Sequence, residues 1–322
     1  MKNSKLKIVI FTVISFLAIN SSMAQRFASI SPSEAILANK GQNDSHRKQF
    51  YLLTPVQNIP DINPLKTEIN YPVLAGISAV TLASGIGIHI YQSNAWWRDK
   101  SSRFRFVNDW KYALWLDKLG HFYGTTLLYH AFSSGLEAAD FNSDKAAVYS
   151  AIGAFAFQMY VEIEDGFGKN WGFSPGDAAF DLMGALYSLG QHYYPVLKNF
   201  QPRVSYYPSL EQREGKRKDG NIIDDYAGQK YWMGIRMKNI LPKSISKYWP
   251  SFLMLSVGMG LKNWNGFGKG DQDLYIAFDL DAEELPLHGG VWQFIKNTLN
   301  KIHFPMPGIR ITPHAAFFAI VY

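Results

Sequence analysis

Asp117 and His121 stand four residues apart in a stretch whose apolar pattern predicts a helix, so the two side chains share one face. A carboxylate at that offset can orient an imidazole, or the pair can ligate a metal. Gln158 and Glu162 repeat the spacing on a second predicted helix, with Glu164 and Asp165 at its end, and Asp177 and Asp181 repeat it on a third. Asp181 lies a turn inside its helix, ahead of the uncharged run Leu182 to Leu197. A buried carboxylate without a partner is costly, so Asp181 is expected to face water or to meet His121 or Lys118. Lys118 is expected to point away from the Asp117–His121 face.

Each group also has an ordinary use. Asp177 fits the capping acid of Ser174-Pro175-Gly176-Asp177, an N-cap followed by proline at the first helical position. Glu164 and Asp165 read as solvated groups at a helix end, and His130 and His192 as satisfied histidines on aromatic-rich faces. The candidate cluster is therefore Asp117, His121, Glu162, Asp177 and Asp181. No residue pattern identifies a cofactor or a particular metal. Gly85-Ile86-Gly87 and Gly258-Met259-Gly260 lack the rest of a nucleotide-binding motif, and neither Gly-x-Ser-x-Gly nor His-Glu-x-x-His occurs.

The elements that must position these groups are four predicted helices. The first, within 71–97, contains no Asp, Glu, Lys or Arg, and its stretch Val73 to Ile90 is apolar enough to cross a bilayer or to lie wholly inside a bundle. Trp96, Trp97, Arg98 and Lys100, then Arg103, Arg105, Trp110 and Trp115, interleave indoles with cations as a helix end at a lipid interface does. The other helices are expected at about 109–138, 143–164 and 174–194. Past a charged, glycine-broken linker, residues alternate with a period of two: Tyr231-Met233-Ile235-Met237, Leu253 to Met259, Leu274 to Leu280, and a final strand from Gly308 to Tyr322. A short amphipathic helix near 291–302 interrupts them. The fold class expected is mainly α with a β-rich C-terminal part (α+β), a bundle of about four helices followed by a small antiparallel sheet. Residues 25–70 form an extended lead-in, 71–200 the bundle, 201–227 the linker and 228–322 the β-rich region. About four strands are too few for a single-chain membrane barrel, although a terminal aromatic is a barrel trait.

At the start, Lys2, Lys5 and Lys7 lead into an apolar run from Ile8 to Ile19, and Ser22-Met23-Ala24 supplies small residues for cleavage. Residues 1–24 are thus a secretory signal peptide, too short in its apolar run for a membrane span. Without it the formal charge falls from +6 to +3, which argues against nucleic acid as a partner. With Cys 0, disulfides, thiolate chemistry, a cysteine zinc site and lipid attachment through an N-terminal cysteine are all excluded. The aromatic share of 15% suits a membrane boundary as well as a β-rich core.

On Asp117-Lys118-x-x-His121-Phe122, Glu162, and Ser174-x-x-Asp177-x-x-x-Asp181-x-x-Gly184, over roughly 110–190, the chain resembles the YfiM-like predicted periplasmic lipoproteins, a domain-of-unknown-function family. More distantly it resembles the VanZ-like membrane proteins. The resemblance implies a periplasmic setting and no particular reaction. This chain departs from it in having no lipobox cysteine, and from the VanZ-like pattern in carrying Asp181 where Asn is usual. The reading is an exported protein of the periplasm or a cell-envelope membrane, the outer membrane included, acting as a binding or scaffold component with membrane or envelope partners. The rival is a hydrolase-like or transferase-like enzyme on lipid or cell-wall material, with His121 as general base oriented by Asp117 and with Glu162 and Asp181 holding a metal or a water.

Overall fold

The computed structural model describes residues 68–98, 103–216, 222–266 and 268–322. The signal peptide and nearly all of the lead-in lie outside the described residues. Among the described residues four long helices come first: α1 (Tyr71–Ser93), α2 (Leu116–Ala138), α3 (Ser143–Gly166) and α4 (Pro175–Tyr193). The strands β1 (Phe200–Tyr206), β2 (Gln229–Ile235), β3 (Leu253–Lys262), β4 (Asp271–Leu280), β5 (Met306–Thr312) and β6 (Ala316–Val321) follow, with α5 (Gly290–Leu299) inserted before β5. They pair in sequence order as one antiparallel sheet. The α+β class with helices first and an antiparallel sheet last is as expected.

Six strands form where about four were expected. β1 was hidden by Pro202, which reads as a breaker, and the last segment is folded back on itself at Pro313 into β5 and β6. Met237 falls in a helical turn beyond β2. The helix expected from Asp109 starts at Leu116, because Ala113, Leu114 and Trp115 take left-handed backbone angles (φ 44, 51 and 75). Such angles are unfavourable for residues with a Cβ and survive only where packing holds them. Here Ala113 and Leu116 are fully buried against Leu261 of β3, and Gln272 Nε2 donates to Leu114 O at 2.6 Å.

The four-helix unit is α2, α3 and α4 packed together, with α1 at the side. α1 touches α2 through Ile77 against Gly135, and His89 hydrogen-bonds Tyr160 of α3. An evenly apolar helix has no stripe to direct one side inward. Only Gln92 of α1 is buried, while Leu82 is 67% and Ile86 60% exposed. The tryptophans expected at an interface divide. Trp97 is buried, donating to Asp165 Oδ1 at 2.6 Å, whereas Trp110 and Trp115 are exposed.

The sheet is polar within and apolar without. Arg203, Trp232, Ser256, Asp273, Tyr275 and Asp279 share its inner face, and Val257, Leu274, Ile276, Phe278 and Ile309 its outer face. It curls until Tyr207 beyond β1 meets Tyr322 beyond β6, their rings 4.7 Å apart. Inside, Arg203 Nη1 lies 2.8 Å from Asp279 Oδ1, and Asp279 Oδ2 accepts from Ser256 Oγ at 2.8 Å and pairs with His303 Nδ1 at 2.7 Å. The His303 ring stacks on Trp232 at 3.9 Å, and only a glycine at 258 leaves room for that indole, since a Cβ there would come within 2.1 Å of it. The helical part docks on the outer face of β1–β3 through Tyr123 against Tyr231 and Leu116 against Leu261.

Candidate functional site

α2, α3 and α4 bring their ionisable groups to one place. His121 is at its middle: Nδ1 lies 3.1 and 3.3 Å from the two oxygens of Asp181 and 3.9 Å from Glu162 Oε1, while Nε2 lies 3.7 Å from Asp177 Oδ1 and 4.0 Å from Asp117 Oδ1. All five candidate residues therefore converge. The His121 side chain is 23% exposed, and the four carboxylates around it are buried. Gly184 makes this approach of α4 to α2 feasible, because a Cβ there would lie 2.5 Å from Phe122 O and 2.9 Å from Thr125 Cβ.

Asp181 meets His121 rather than water. Its Oδ1 also lies 2.8 Å from Gln158 Nε2 and 3.0 Å from Thr125 Oγ1, so a wholly buried carboxylate is surrounded by donors. Glu162 reaches across from α3 to accept the Ser174 N–H at 3.0 Å through Oε2. In a capping box the third helical residue takes that donor. Glu162 takes it here, and Asp177, whose own N–H donates to Ser174 Oγ at 3.1 Å, is left to turn its carboxylate elsewhere.

It turns to Lys118, which the helical offset had placed apart. Lys118 Nζ is fully buried, 2.6 Å from Asp177 Oδ1, 2.8 Å from Asp117 Oδ2 and 2.9 Å from Asp109 Oδ1. Its Cβ does leave α2 about 100° away from that of Asp117, but a four-carbon stem brings the ammonium back to the carboxylates once the start of α4 stands alongside. Asp109 and Tyr226 were likewise missed. The Tyr226 hydroxyl donates to Asp117 Oδ1, tying the stretch before β2 to the cluster. Tyr226 sits on no helix with the others, and Asp109, although eight residues before Asp117, lies ahead of the left-handed turn that starts α2, so its place is set by that turn. Asp165 is not simply solvated: it accepts from Trp97, and burial pushes it up to about 6.

The electrostatics follow from burial and charge. Burial opposes ionisation of Asp117, yet His121 and Lys118 outweigh it and hold the carboxyl below its usual range. Burial likewise opposes charge on Lys118 and His121, but the surrounding carboxylates raise both, His121 well above the ordinary histidine range. Burial pushes Glu162 up to about 8 and Asp177 up to about 7, the charge of Asp117 adding to the second. Two sets of three donors lie within 4.8 Å of one another: Asp117, His121 and Asp177, and His121, Glu162 and Asp181. The first already contains the Lys118 ammonium.

The Asp-Lys-x-x-His segment and its acidic partners lie within one recognisable stretch. Residues 106–191 match the family model described as predicted periplasmic lipoprotein, DUF2279. The match covers α2 and α3 entire and α4 up to its last two residues, with every one of the five candidate residues, and ends before the sheet. The periplasmic lipoprotein description agrees with an exported protein of the periplasm or envelope membrane. Its lipid part has no cysteine to act on in this sequence. Neither a curated protein nor a solved structure matches the chain.

His130 and His192, outside the match's polar centre, have ordinary partners. His130 Nε2 is 3.0 Å from Thr298 Oγ1 with its ring stacked on Phe294 of α5, and His192 Nε2 is 2.7 Å from Asp144 Oδ1.

Proposed function

We propose that the protein is a membrane-associated binding or scaffold component of the cell envelope, with α1 set in lipid and the His121 centre serving as the binding junction of the other helices. α1 carries this reading: its 23 residues are long and apolar enough to cross a membrane, and none of its most apolar stretch is buried within the protein. In water, side chains such as Leu82, Ile86 and Ile90 would each forgo about 1.5–3 kcal/mol of burial, whereas lipid restores it. The outer sheet face, with Phe317 72% and Ile320 60% exposed, offers further apolar surface. Fractionation after export tests the reading. The protein is expected to stay with membranes through alkaline carbonate, and Ile86→Lys to release it; recovery of the unaltered protein in the soluble periplasm would overturn the assignment.

The rival enzyme reading asks His121 to accept a proton. The carboxylates facing both ring nitrogens favour the protonated imidazole, which opposes a resting general base and which a metal cation would have to displace.

A further inference from the structure

We propose that His121 Nδ1, Glu162 Oε1 and a carboxylate oxygen of Asp181 form a three-ligand site for a divalent transition-metal ion at the junction of α2, α3 and α4. The inference deepens the binding reading of the His121 centre and is independent of how α1 meets the membrane.

Three features support it beyond the gathering of acids. First, the donors are a mixed set, one imidazole and two carboxylates, which suits zinc or manganese rather than the all-oxygen shells of calcium and magnesium. Second, both carboxylates are fixed by donors outside the set while presenting oxygen to Nδ1. Glu162 is 1% exposed, and its Oε2 takes the Ser174 N–H while Oε1 faces Nδ1 at 3.9 Å, beyond hydrogen-bond reach. Asp181 Oδ1 takes Gln158 and Thr125 and lies 3.1 Å from Nδ1, with Oδ2 at 3.3 Å from the same nitrogen. Donors fixed in this way are what orients ligands around a metal.

Third, the far side of the imidazole is prepared. A histidine that binds metal through one nitrogen donates its other N–H to a carboxylate. Asp177 Oδ1, buried and paired with Lys118 Nζ at 2.6 Å, stands 3.7 Å from Nε2. On binding, Nδ1 gives its proton to solvent and its lone pair to the ion, while the Nε2 proton stays toward Asp177. Lys118 supplies the cation for the Asp109–Asp117–Asp177 group, so the second group is the one left for a metal. The partly exposed edge of His121 is the way in.

The test uses the full exported chain in detergent, stripped with a chelator and titrated with Zn2+ or Mn2+ by calorimetry, with bound metal counted by elemental analysis. One ion per chain is expected, with a raised thermal midpoint and with Ca2+ unable to compete. Glu162→Gln, which keeps the side-chain shape, and Asp181→Asn should each weaken binding at least tenfold, while His130→Ala leaves it unchanged. If Asp181→Asn fails to fold, Glu162→Gln alone decides. Absence of stoichiometric Zn2+ and Mn2+ binding by the unaltered protein, or equal affinity in folded Glu162→Gln, overturns the site. A soluble protein that binds zinc would sink the membrane reading and leave this one standing.

Discussion

Lys118 is the residue on which the polar centre turns. Three carboxylates lie within 2.9 Å of its ammonium, and the group is sealed from water. Removing one partner of a buried ionic set leaves uncompensated charge, at a cost of about 3–5 kcal/mol. Lys118→Met should therefore destabilise the fold by about that much in urea unfolding. Adding Asp177→Asn, which removes one of the stranded charges, should recover part of the loss. Additive losses in the double variant would show that the two groups are not coupled. The face shared by Asp117 and His121 was legible because helix geometry alone sets it. The place of Lys118 was not, because it depends on the flexible reach of its stem and on the position of α4.

Among the helices, α4 is fitted closely to α2, and Gly184 lies at the crossing. Its Cβ-free backbone sits against Phe122 O and Thr125, so Gly184→Ala must part the helices or shift His121 from Asp181. Overpacking of this kind costs about 1–3 kcal/mol, read as a lower urea midpoint with an unchanged slope. A midpoint equal to the parent's would mean that the crossing relaxes freely. The start of α4 was legible in Ser174-Pro175-Gly176-Asp177, where the N-cap is local chemistry. That Glu162 replaces Asp177 at the cap was not, because the substitute comes from another helix. The left-handed turn before α2 was also hidden, since nothing in Ala113-Leu114-Trp115 favours it; β3 and β4 impose it.

The two parts of the molecule meet again where His130 of α2 stacks on Phe294 of α5. Burial holds this imidazole down at about 3 from its ordinary 6.5. The unfolded chain takes up a proton there below about pH 6.5 and the folded chain does not, so the stability that neutral His130 contributes is lost as pH falls from 6.5 toward 3. Thermal midpoints compared at pH 7 and pH 4 should fall less in His130→Gln than in the parent. Parallel falls would remove His130 from the acid response. Beyond this joint, the charged interior of the sheet went unread because alternation shows that two faces differ without showing which is inside. Val257, Ile276 and Phe278 form an apolar row that a soluble sheet would bury, and Arg203, Asp279 and His303 lie beneath it instead.

By itself the sequence determined the helices, the alternation of the strands, the absence of thiol chemistry and the common face of Asp117 and His121. These depend on residue type and on spacings of a turn or a pleat, which neighbours along the chain dictate. Only the tertiary structure decided that Lys118 belongs with the carboxylates, that Glu162 caps a foreign helix, and that the sheet encloses its charges. Those outcomes are set by the cost of burying charge without a partner, and the partners are distant in sequence until packing brings them together.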